Sequence, residues 1–249
     1  MKIDLRIWRQ RDGEALGGFV DYEVHDASPS MSLLELIDRL NETLVGQQVE
    51  PVAFDSDCRE GICGSCGITV DGRPHGPEAN TPSCQQHLRS FADGARVTLE
   101  PLRAGSFPVV RDLVVDRSAL DRLIESGGFI SVDAGTAPDA DGRPVAHAVA
   151  EATLDMAACI GCGACVAACP NGSAQLFLGS KLAHLGLVLQ GQPERAARAS
   201  DMTAASDLEF GPCSTFGECA QVCPAGIPLA AIAMVPKESL RARLRGPSG

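Results

Sequence analysis

Apolar and polar positions alternate in short runs over the first hundred residues. Ile3, Leu5 and Ile7 are each followed by a polar or charged residue or Trp8, the period of a half-buried strand. A turn at Asp12-Gly13 follows, and Val20, Tyr22 and Val24 alternate again. Ser32 and Glu35 stand at capping-box spacing, and Leu33, Leu36, Ile37, Leu40 and Leu44 continue as a helical stripe. Val52 to Phe54 predicts a short strand and Ile68 to Val70 another, ended by Asp71-Gly72; Val97 and Leu99 mark a last strand before Pro101. From Asp112 the period turns helical. Leu113, Leu120, Leu123 and Ile124 share a face that Gly127-Gly128 closes. Residues 133–144, rich in Asp, Gly, Ala and Pro, predict a surface loop, and the chain after Ala152 reads as short helices joined by Cys-bearing loops. The pattern is that of an α+β chain with two domains, 1–110 built around strands and 111–249 built of helices.

Composition narrows what such a chain does. Aromatics make up 4% of its 249 residues, so its cores rest on Val, Ile, Leu and Ala. A formal charge of −11 argues against nucleic acid, which needs a basic patch. The N-terminus MKIDLRIWRQ lacks the apolar core of a signal peptide, and the apolar stretch Ala225 to Val235 is too short to span a bilayer. The expectation is a soluble, unsecreted chain that meets a membrane only through a partner. Eleven Cys, an odd number, do not fit a fully paired disulfide framework, and in a reducing compartment they suit metal or redox work.

Their spacing is specific. CREGICGSC places Cys58, Cys63 and Cys66 at C-x4-C-x2-C, with Cys84 downstream, the plant-type ligand spacing for a 2Fe-2S cluster. Gly61, Gly64 and Gly67 let the loop wrap tightly and turn N–H groups toward anionic sulfur. A structural zinc site is the competing reading, but zinc modules favour paired C-x2-C knuckles. A Rieske site would need His inside the motif; His75 and His87 lie outside it and read as ordinary surface or packed residues.

Two further runs echo each other. CIGCGACVAACP spaces Cys159, Cys162, Cys165 and Cys169 as C-x2-C-x2-C-x3-C-P, the two-cluster ferredoxin run whose fourth Cys ligates the other cluster. CSTFGECAQVCP repeats it with Cys213, Cys219 and Cys223, but Phe216 stands where the second Cys would be. Exchanging the fourth ligands assigns Cys159, Cys162, Cys165 and Cys223 to a 4Fe-4S cluster. Cys169, Cys213 and Cys219 remain, three thiolates and an apolar corner, which suits a 3Fe-4S cluster. The alternative is a 4Fe-4S cluster whose fourth iron binds water or substrate. All eleven Cys are used, and three cluster types in one chain suggest a relay.

These motifs, with FPVVRDLVVDRS at 107–118, resemble the iron–sulfur subunit of succinate dehydrogenase and fumarate reductase over nearly the whole chain. The resemblance implies a β-grasp 2Fe-2S domain followed by an α-helical ferredoxin-type domain. It implies an FAD-binding flavoprotein partner, a membrane-anchor subunit that bears haem b, and quinone near the 3Fe-4S cluster. Electrons would run from FAD through the 2Fe-2S, 4Fe-4S and 3Fe-4S clusters in turn, with the chain peripheral on the cytoplasmic side of the membrane. No catalytic side chain is implied in this chain. Ala174 stands where some relatives carry a quinone-site Trp, so their quinone contacts do not transfer, and the segment is closer to the branch with a single diheme anchor. The basic stretch Lys237, Arg241, Arg243 and Arg245 suits anionic lipid headgroups or solvent equally. The rival readings are a relay subunit of another flavin-linked oxidoreductase, a free-standing ferredoxin and a zinc-binding interaction module.

Overall fold

The computed structural model describes residues 1–131, 145–188 and 191–245; the loop expected over 133–144 lies outside the described residues. β1 (Ile3–Arg9) pairs antiparallel with β2 (Gly18–Val24) and parallel with β5 (Ala95–Pro101). β3 (Ile68–Val70) runs antiparallel to β5 and turns at Asp71-Gly72 into β4 (Arg73–Pro74), giving the strand order β2-β1-β5-β3-β4. The alternation predicted from Ile3, Leu5, Ile7, Val97 and Leu99 is real: all five are buried. β2 departs from it. Val24 is buried but Val20 is exposed, because β2 is an edge strand.

α1 (Leu33–Gly46) covers the buried face of this sheet. Ser32 and Glu35 form the full capping box, and Leu33, Leu34, Leu36, Ile37, Leu40 and Leu44 are buried. Each such side chain contributes roughly 1.5–3 kcal/mol before the cost of ordering it. The strand expected at Val52–Phe54 is instead an extended segment outside any sheet. Its polar backbone groups find other partners: Val52 N–H donates to Asn41, Ala53 N–H to the Asp112 carboxylate, and Leu113 N–H to the Ala53 carbonyl.

β5 is not the last strand. β6 (Val109–Arg111) and β7 (Val114–Val115) make a separate hairpin, its second strand falling where helical periodicity was expected. Helix α2 spans only Ser118–Glu125, so Leu113 does not share its face. Leu113 packs into the first core, whereas Leu102 and Phe107, earlier in the chain, pack with Leu120 and Leu123 into a second. Each core thus borrows side chains from across the boundary expected at residue 110. Asp112 ties the crossing down: its buried carboxylate accepts from Arg9 Nε at 3.1 Å, Gln10 N at 2.8 Å and Ala53 N at 2.9 Å.

The rest is helical: α3 (His147–Ala157), α4 (Ala164–Ala168), α5 (Gln175–Leu187), α6 (Arg195–Glu209), α7 (Glu218–Gln221) and α8 (Met234–Arg245), with a 3-10 turn at Leu229–Ala233. α5, α6 and α8 are longer than the short helices expected. α5 is buried on nearly all sides. It approaches the turn so closely that a Cβ on Gly179 would lie 2.1 Å from the Ala231 carbonyl oxygen. Arg195 of α6 and Glu238 of α8 form a bidentate buried pair at 2.6 and 2.7 Å. Among the described residues no helix is long and apolar enough to cross a membrane.

Candidate functional site

The loop from Cys58 to Cys66 leads into β3, and Cys84 sits in a 3-10 turn (Ser83–Gln85) that packs beside α1. The turn is fixed from both sides. Leu33 N–H donates to the Gln86 carbonyl at 2.8 Å, and the buried Gln86 side chain binds backbone groups of Glu78 and Thr81. Gln85 Nε2 donates to the Arg59 carbonyl at 2.6 Å, joining the turn to the loop. Arg59 in turn pairs with Asp38 of α1. All four predicted cysteines come together. Cys58 Sγ accepts from the backbone N–H of Glu60 and Cys63, each at 3.4 Å. The thiols of Cys66 and Cys84 are hydrogen-bonded to each other, and Cys66 also lies within the field of Cys63.

The pocket favours anionic sulfur at Cys63 and Cys84. The hydrogen bond from Cys66 brings the Cys84 thiol down to about 6, and the same bond, with burial, raises Cys66. Burial alone would raise Cys63, but hydrogen bonds, first from Ser65, outweigh it and bring the thiol to about 7. Ser65 Oγ stands 3.0 Å from Cys63 Sγ. His75 is a packed residue: its Nδ1 lies 3.0 Å from Ser83 Oγ, and burial lowers its pKa to about 4, so the ring is neutral at neutral pH. His87 lies at an isolated bridge with Ser32.

The echo between the two downstream runs is a repeat of backbone conformation. Gly161 (φ +65°), Gly163 (φ +84°) and Gly172 (φ +62°) answer Thr215 (φ +55°), Gly217 (φ +90°) and Gly226 (φ +63°) at equivalent positions. Gly163 starts α4 and Gly217 starts α7, which pack together. Cys165 and Cys219 therefore stand on short helices and not on the loops expected to carry them.

Packing these repeats face to face creates two pockets. One is lined by Cys159, Cys162, Cys165 and Cys223 with Phe177 and Ile227. The other is lined by Cys169, Cys213 and Cys219 with Phe216, Leu176 and Ile232. Each wall takes its last thiol from the opposite run, the grouping expected from the exchange. Among the described residues no group of three or more His, Cys, Asp or Glu is gathered tightly enough for a single metal ion.

The donor set of these pockets fits a sulfur-rich cluster. Ile227 N–H donates to Cys223 Sγ and Thr215 N–H to Cys213 Sγ, each at 3.4 Å. Burial pushes the Cys162 thiol up to about 12 and Cys165 well above its ordinary value, with the neighbouring thiols adding to both shifts. Four thiolates held this close in an apolar pocket need cationic metal among them. Phe216 is 57% exposed at the rim of the three-thiol pocket. Ala174 is fully buried, so nothing at that position reaches a ligand's surface.

Two contacts were not legible in the motifs. A Cβ on Gly64 would lie 2.3 Å from the Ile160 carbonyl oxygen, so the first Cys loop rests directly on the second. Arg117 Nη1 donates to the Gly64 carbonyl at 2.6 Å and to the Cys162 carbonyl at 3.0 Å. Nothing in the local spacing flags Arg117, because its partners lie 53 and 45 residues away.

Comparison with known proteins bears on these pockets. Residues 4–122 match the family described as 2Fe-2S iron-sulfur cluster binding domain, and residues 158–227 match the 4Fe-4S dicluster domain. The chain is 32% identical to the succinate dehydrogenase iron-sulfur subunit of Bacillus subtilis, over 80% of this chain and 76% of that protein. It is 30% identical to the fumarate reductase iron-sulfur subunit of Wolinella succinogenes, over 85% of this chain and 84% of the other. The chain belongs to the iron–sulfur subunit family of succinate dehydrogenase and fumarate reductase. As a member of that family it is an electron-transfer subunit of an oxidoreductase. A chain of the Mycobacterium smegmatis Sdh1 complex in the apo form shares the fold, with a TM-score of 0.67 at 24% identity, covering 99% of this chain and 98% of that one.

Proposed function

We propose that this iron–sulfur subunit conducts electrons, one at a time, between the FAD of a flavoprotein subunit and membrane quinone. The observation that carries the reading is the pair of pockets with exchanged walls, one with four thiols and one with three thiols and Phe216. Cys58, Cys63, Cys66 and Cys84 would hold a 2Fe-2S cluster. Cys159, Cys162, Cys165 and Cys223 would hold a 4Fe-4S cluster, and Cys169, Cys213 and Cys219 a 3Fe-4S cluster. When bound, the clusters supply reversible one-electron carriers whose potentials depend on type, charge, hydrogen bonding and exposure.

The chain's own residues do the rest. Thiolates anchor iron, backbone N–H groups and Ser65 face the sulfurs, and Phe216 leaves one corner without a thiolate. No side chain here is assigned an acid–base step, so oxidation of the organic substrate belongs to the flavoprotein. The strand order β2-β1-β5-β3-β4 with α1 across it supports a β-grasp first domain, and the repeated Cys runs support a ferredoxin-type second domain. A membrane-anchor subunit, haem-bearing in the branch this sequence is closer to, would seat the chain peripherally on the cytoplasmic side with quinone beside the three-thiol pocket.

Electron paramagnetic resonance on anaerobically purified complex tests this. The expected result is a three-iron signal in the oxidised sample that vanishes on adding succinate while a reduced two-iron signal grows. Iron signals that answer only to dithionite would move the reading to another partner or to fumarate reduction. Iron-loaded protein with no cluster signals would overturn it.

A further inference from the structure

We infer that Arg117 is a positioning residue shared by the first two cluster sites, and that its counter-charge is the clusters themselves. The inference rests on the ligand reading above. Arg117 is the residue preceding α2, half-buried between the halves of the molecule. One guanidinium nitrogen donates to the Gly64 carbonyl, in the Cys58–Cys66 loop, and to the Cys162 carbonyl, in the four-thiol site. Among the described residues no carboxylate lies within ion-pair distance of it. The nearby His75 ring is neutral at neutral pH because burial lowers its pKa. Among the described residues this half-buried cation is bonded to two carbonyls and to no anion, in a chain of net charge −11.

The two loops it joins are in backbone contact. A Cβ on Gly64, whose φ is +73°, would lie 2.3 Å from Ile160 O and 3.1 Å from Cys162 N. A Cβ on Gly67 would lie 3.5 Å from Cys162 O. At Gly64 the loops meet backbone to backbone, and Arg117 bonds a carbonyl of each. A four-thiolate cluster is anionic in both redox states and gains negative charge on reduction. A cation bonded to a carbonyl of each site therefore favours the reduced form of each. The three-thiol pocket, lined by Cys169, Cys213 and Cys219, has no contact with Arg117 and lies outside this effect.

The test is redox titration followed by electron paramagnetic resonance on the intact complex. It uses Arg117→Gln and Arg117→Lys, with iron and sulfide content as the loading control. The Gln variant is expected to lower the potentials of the two-iron and four-iron centres and leave the three-iron centre unmoved. The Lys variant, which keeps the charge, is expected to restore both. Wild-type potentials in a fully loaded Gln variant, or an equal drop at all three centres, would overturn the inference. Should the Gln variant fail to load iron, a fully loaded Lys variant with wild-type potentials supports the role of charge. Failure of both variants to load reduces Arg117 to a structural part and sinks the idea. Absence of cluster signals in the parent protein would instead overturn the ligand reading.

Discussion

At the scale of single residues the candidate site was nearly all legible, because cluster ligation restricts both residue type and spacing. The grouping of the eleven Cys, the placing of Cys169 and Cys223 on the wall of the opposite run's pocket and the odd Phe216 all follow from short motifs. A direct test is Phe216→Cys, which supplies a fourth thiol at the rim of the three-thiol pocket. The expected outcome is loss of the oxidised three-iron signal, gain of iron and a lower potential at that centre; an unchanged signal with unchanged iron would refute the assignment. The reason for the glycines was legible only in part. Gly64 is needed less for wrapping sulfur than for its approach to Ile160, a contact 96 positions downstream. Gly64→Ala places a Cβ 2.3 Å from backbone at a positive φ, so it should cost more than about 1–3 kcal/mol. A thermal melt would show it, and a melting temperature within a degree of the parent would count against the close contact.

Whole elements were legible where local signals and burial agree, as in α1, and misread where tertiary partners decide. Val52–Phe54 has strand-like residues, but Asn41 and Asp112 take its hydrogen bonds, so no ladder forms. Leu113 fits the helical stripe of Leu120, Leu123 and Ile124 by spacing, but it lies in the turn between β6 and β7. The capping box of α1 offers a quantitative check. Ser32→Ala should cost about 1 kcal/mol, or roughly 2–4 °C in a chain this size. Hydrogen bonds from Ser32, first its backbone N–H, hold the Glu35 carboxyl below its ordinary 4.5. A lowered carboxyl pKa stabilises the fold above the ordinary value and loses that contribution as pH falls through the lowered one. Glu35→Gln should therefore be less stable than the parent at neutral pH and approach it in acid below about 4.5, read as denaturation midpoints across that range. The pair between α6 and α8 is a harsher case. Arg195→Ala leaves Glu238, whose side chain is 1% exposed, buried and unpaired, so a loss of about 3–5 kcal/mol is expected in chemical denaturation.

For the molecule as a whole, sequence pattern conveys two halves but not how they share a border. Leu102 and Phe107 cross into the second core, and Leu113 and Asp112 return to the first. A fragment ending at residue 110 lacks the carboxylate that holds Arg9, Gln10 and Ala53, whereas one ending at 117 keeps it. The longer fragment should melt higher and retain a two-iron spectrum more fully; equal behaviour would support a boundary at 110. The same interweaving has a consequence for durability. None of residues 159–168 is exposed, while Arg59, Glu60 and Ile62 at one end and Ser214, Thr215 and Phe216 at the other are. The molecule is built like a cable with bare ends and a sheathed middle. On the ligand reading proposed above, oxidants reach the Cys58–Cys84 site and the three-thiol site of the isolated chain first, so decay in oxygen should strip it from its tips inward and leave the four-thiol site as the last to bleach.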